Sequence, residues 1–166
     1  MTDPPNPDTP PVRPNPLRAL VELEPGKPAI AAGLRMAVTI IGPIVAGMVT
    51  GYLDAGLMAS VAALEVGLTD DGGPYARRLV RMCVTTVGLA VSVFVATLAG
   101  SRLWLAVPLT LVWAFGCGLT NLFSNAAATA GMVTLVVLAV GIGLPGDLGI
   151  ASDRFAQFLA GGAWSI

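Results

Sequence analysis

The side chains able to do chemistry in this chain are few, and most of them gather in one stretch. Between two apolar runs lies "ALEVGLTDDGGPYARRLVRM", residues 63–82, with Glu65, Asp70, Asp71, Tyr75, Arg77, Arg78 and Arg81. Glu65 is alone among apolar residues in "VAALEVGL". A carboxylate at the centre of a membrane costs about 2.5–3.5 kcal/mol on insertion scales, so such a group faces a cavity or a partner. Two readings stay open for it. One is a protonatable or substrate-sensing group in a transport path, because burial favours the neutral acid. The other is a residue near the interface that reaches the headgroups or pairs with Arg35. Arg35 also divides two ways. As an anchor it snorkels to water from the start of its helix. Facing the bundle interior, it is a bidentate partner for a carboxylate substrate.

The residues that are missing exclude several functions. Histidine is absent, which removes the usual neutral-pH proton shuttle and the commonest metal ligand. Cys83 and Cys117 lie in apolar runs without CxxC spacing and read as small buried side chains. There is no GxSxG, HExxH or Walker A lysine, and "GIGLPG" at residues 141–146 opens no phosphate-binding helix. The expectation is therefore no enzyme, no metal and no cofactor. A net charge of −1 without a basic stripe also argues against nucleic acid as a partner.

The elements that carry these residues follow from composition. The chain is 55% hydrophobic and 11% charged, with a mean hydropathy of +0.79. A soluble domain keeps about a quarter of its residues charged, so most of this surface must face lipid. The fold class expected is all-α, a polytopic transmembrane bundle of about six spans. Residues 1–28 hold nine of the thirteen prolines and read as a disordered cytoplasmic tail. The transmembrane domain is 29–166, with spans near 29–50, 55–69, 79–100, 104–123, 126–144 and 155–166. The second is short, and residues 51–56 before it read as a tight polar turn. The last gives only twelve uncharged residues, about 18 Å of helix, and reads as an incomplete span of an incomplete protein. Gly47 with Gly51 and Ala127 with Gly131 are spaced for close helix packing, and Asn121 and Asn125 read as turn residues. With the N-terminus inside, seven of the nine basic residues fall on the cytoplasmic side, which sets the orientation.

An arginine entering a first span, a short second helix and a "DGGPYARRLVRM" connector into a third resemble the fusaric acid resistance (FUSC-like) family. The likeness runs from about Leu17 to Ile166 and includes "GLP" at residues 143–145. It implies a bacterial inner-membrane protein, multi-pass, exporting aromatic carboxylic acids or similar organic anions. Family members usually add a cytoplasmic domain and often a second membrane half after about six spans. A missing C-terminal half, or a homo- or hetero-oligomer, would then complete the transporter. The family supplies no fixed site set, so the candidates are those that charge and the connector single out: Arg35, Glu65, Asp70, Asp71, Tyr75, Arg77 and Arg78. The alternative reading is a non-transporting membrane scaffold or partner subunit whose connector docks another protein.

Overall fold

A backbone surrounded by lipid must satisfy its own N–H and C=O groups, and an α-helix does this within a single segment. The computed structural model describes residues 30–70 and 74–166. The tail expected at residues 1–28, together with Ala29, Asp71, Gly72 and Gly73, lies outside the described residues. Every described element is a helix: α1 Ile30–Thr50, α2 Leu53–Leu68, α3 Tyr75–Ala99, α4 Leu103–Thr120, α5 Asn125–Ile142 and α6 Leu148–Ser165. The all-α expectation holds. Among the described residues, α1 from Gly33, α3, α4 and α5 are long and apolar enough to cross a membrane.

Several boundaries differ from the sequence reading, each for a local reason. The turn before α2 is only Gly51 and Tyr52, because Gly51 takes φ +80° and reverses the chain at once. Helix α2 therefore starts at Leu53 and has 16 residues, about 24 Å. Helix α3 starts at Tyr75, directly after Pro74 and four residues ahead of the span near 79–100, so Tyr75 and the arginines ride on its first turns. The largest correction concerns α6, which starts at Leu148 and not at residue 155. Asp147 caps it, its Oδ1 accepting from the Ile150 N–H at 2.9 Å. The charged pair Asp153–Arg154, read as part of a turn, lies within the helix.

Helix α6 sits against both α2 and α3, α5 packs on α3, and α4 packs on α5. Residues without bulk let the backbones touch. Gly161 leaves room for the Ala59 carbonyl of α2, and Gly162 for the Thr86 side chain of α3. At the α1–α2 corner, a Cβ on Gly47 would stand 2.9 Å from the Gly56 Cα, so Gly47 pairs with Gly56 and Gly51 only turns the chain. Gly131 meets the backbone of Cys117, in keeping with close packing of α4 on α5. Ala62, Val66, Met82, Leu89, Val93 and Phe158 fill the centre. Helix α4 leaves Trp104, Leu111, Val112 and Phe115 exposed, which suits contact with lipid.

Replacing Gly161 by leucine should prevent α6 from reaching α2. Overpacking costs about 1–3 kcal/mol or more, so G161L should lose monodisperse protein in detergent and melt at lower temperature. Gly33→Leu, with nothing within 4 Å of the added carbon, should behave as the unaltered protein. Equal behaviour of the two variants would remove the backbone-contact account.

Candidate functional site

Two charged arrangements emerge, and they differ in kind. The first lies at the end of the bundle where α2 passes into α3. Thr69 closes α2, its hydroxyl donating to the Val66 carbonyl at 2.7 Å. That closure leaves Asp70 directly past the cap, with its carboxylate only 7% exposed. Arg78 Nε, from the first turn of α3, donates to Asp70 Oδ1 at 2.8 Å. Arg35 Nη2, from α1, donates to Asp70 Oδ2. Arg81 Nη1 donates to the Thr69 carbonyl at 3.4 Å. One carboxylate thus ties the ends of three helices. This settles the partner of Arg35 as Asp70, not Glu65. Arg35 remains half exposed at 52%, as an anchor at an interface would be. Tyr75 and Arg77 stand exposed on α3, and no described contact brings either into the clamp. Asp71 is outside the described residues.

The second arrangement is a cavity of about 150 Å³ between α2, α3, α5 and α6. Met58, Val61 and Glu65 face it from α2 at helical spacing, opposite Val136, Val140 and Leu144. Val93 of α3 and Phe158 of α6 are also in its wall. Its surface is apolar almost throughout, Val61, Val136 and Val140 stand at an exposed rim, and its charged residues are Glu65 and Arg154. Glu65 is half-buried, and among the described residues nothing pairs with it. Arg154 is held elsewhere: its Nη1 donates to Thr97 Oγ1 at 3.0 Å and to the Leu144 carbonyl. Thr97 is near the end of α3 remote from the Asp70 clamp, so Glu65 and Arg154 approach the cavity from opposite ends. Sequence reasoning missed Arg154. The available signal was Asp147, a helix-capping residue type four positions ahead of an apolar face at Ala151, Phe155 and Phe158. Among the described residues, no three His, Cys, Asp or Glu side chains gather as metal ligands.

No family model matches the chain, and no solved structure matches it significantly. It is similar to the uncharacterized membrane protein YvaC of Bacillus subtilis, at 29% identity over 145 residues. That match covers 86% of this chain and 22% of YvaC. With the helices already described, it decides the broad class. The chain is a membrane protein. It is also similar to the uncharacterized protein slr1298 of Synechocystis, at 27% identity over 134 residues, 81% of the chain and 17% of the relative. The chain therefore spans about a fifth of the length of these relatives.

Removing the carboxylate that two arginines share should loosen the end of the bundle. Hydrogen bonds to charged groups are worth about 1.5–3 kcal/mol. Asp70→Asn should lower the melting temperature more than Arg35→Gln, because Arg35 is half in solvent and its loss leaves the Arg78 bond intact. Thermal melts in detergent check the order. Equal melting of the unaltered protein and D70N would dismiss the clamp.

Proposed function

We propose that this chain is a membrane-embedded part of a transport protein that exports small organic anions, aromatic carboxylic acids above all. The observation that carries the proposal is the apolar cavity with an unpaired carboxyl, Glu65, in its wall. A cavity of about 150 Å³ with apolar walls accepts a single aromatic ring such as benzene. Arg154 supplies a cation for the carboxylate of such a ligand. Glu65 then serves as a proton-carrying group, and its protonation couples movement of the anion to the proton gradient. The likeness of the connector to the FUSC-like family points the same way.

The location proposed is the bacterial inner membrane, with the N-terminus in the cytoplasm. Arg35, Arg77, Arg78 and Arg81 share the Asp70 end of the bundle, and positive charge of this kind stays inside. That basic end would draw organic anions from the cytoplasm towards the cavity. A second reading, a membrane scaffold or partner subunit, draws on α4, whose apolar face is almost wholly uncovered by the other helices. Loss of a co-purifying partner on placing arginine at Phe115, with no effect on anion movement, would favour it.

In proteoliposomes under an imposed pH gradient, Glu65→Gln should abolish gradient-driven movement of benzoate while insertion and melting are unchanged. Gradient-driven movement equal to that of the unaltered protein would sink the coupling role of Glu65.

A further inference from the structure

Two hollows meet at Arg154. One is the apolar cavity that contains Glu65. The other is an open vestibule of about 410 Å³ at the end of the bundle remote from Asp70. Asp54 of α2 and Asp153 and Gln157 of α6 add acidic and polar groups to a wall that also holds Leu57, Met58 and Ile150. Met58 and Arg154 belong to the walls of both.

Their geometry differs in a useful way. Arg154 is fixed by its bonds to Thr97 and Leu144, and Thr97 is buried and itself donates to the Val93 carbonyl at 2.8 Å. A guanidinium has five N–H donors, and the contacts described for Arg154 use one nitrogen. No carboxylate among the described residues lies within ion-pairing distance of it. Met58, by contrast, is an unbranched side chain with three rotatable bonds, able to move aside without breaking a polar contact.

We propose that Arg154 and Met58 form the partition between the cavity and the vestibule, and that Arg154 reads the carboxylate of an organic anion there. The identity of the ligand rests on the transport reading; the partition rests on the two shared wall residues alone. An anion leaving the cavity meets one positive group, Arg154, at the vestibule side. Once past Arg154 it meets Asp54 and Asp153, whose like charge speeds departure. Arg154 is thus a specificity residue for anions, and Met58 is the movable half of the barrier.

Cysteine accessibility separates the partition from the ligand. With Cys83 and Cys117 replaced by serine, single cysteines are placed in the vestibule (Asp54→Cys) and in the cavity (Val137→Cys). Proteoliposomes are treated with the anionic thiol reagent methanethiosulfonate ethylsulfonate, and the rates compared. The cavity cysteine should react roughly 10-fold or more slowly than the vestibule cysteine, within the range by which charged, narrow sites alter encounter rates. Met58→Ala should raise the rate at Val137→Cys several-fold and leave Asp54→Cys unchanged. An unchanged rate at the cavity position in Met58→Ala would overturn the partition, as would a parallel rise at both positions. Benzoate should slow modification of Val137→Cys when Arg154 is present and not in Arg154→Ala. Equal protection in both overturns the role of Arg154 in reading the anion. Absence of any protection by benzoate, with the partition intact, counts against the transport reading instead.

Discussion

The bundle depends on the approach of α6 to α2 and α3 at backbone distance. Gly161 against the Ala59 carbonyl and Gly162 against Thr86 are consecutive residues that face two different helices. Between helices in lipid there is no hydrophobic drive comparable to that in water, so contact area and close packing decide association. A side chain at either glycine would separate one helix pair. The cavity would then lose its shape, because α2 and α6 contribute Glu65 and Arg154 to the same wall. The short α2 fits this scheme. At 16 residues, about 24 Å, it falls below the roughly 30 Å of a hydrocarbon core, and its buried face of Gly56, Ser60, Ala62, Ala63 and Val66 lies against neighbours.

Several hydroxyls inside the bundle find partners by the same economy, those of Thr85 and Ser165 excepted. Thr39, Thr86, Thr97 and Thr110 each donate to the carbonyl four residues earlier, which satisfies a hydroxyl without a second helix. Ser92 instead crosses to the Thr134 carbonyl at 2.6 Å and links α3 to α5. Arg154 uses two acceptors near helix ends, the Leu144 carbonyl just past α5 and the buried Thr97 hydroxyl. Among the described residues, a cation is therefore held in the bundle without an ion pair.

What was legible in the sequence was local. Apolar runs gave the helices, Gly51 the first turn, and the arginines after Pro74 a cluster at one end. What was not legible was long-range or mixed in pattern. Asp70 meets Arg35 across 35 residues, and Arg154 meets Thr97 across 57, and no periodicity encodes such meetings. The start of α6 was hidden because Asp153 and Arg154 look like a turn when read for hydropathy alone. Only the cap at Asp147, combined with the apolar face that follows, distinguishes a helix from a loop there. Glu65 could be picked out by type but not by partner, since the cavity wall is built from four helices.

The same chain treats charge in two opposed ways. At the Asp70 end, one carboxylate neutralises arginines from two helices beside water, an arrangement that stabilises helix ends and needs no ligand. In the cavity, Glu65 and Arg154 border one apolar space and do not pair. Glu65 is only half-buried, and a carboxylate beside apolar walls costs free energy that valine at residue 65 would not. Neither the helix contacts nor the glycine packing uses the carboxylate of Glu65. A proton on the acid, or reach to the headgroups, offsets that cost. On the transport reading, the groups that handle anion and proton are Glu65 and Arg154, away from the conspicuous arginines that first mark the chain in the sequence.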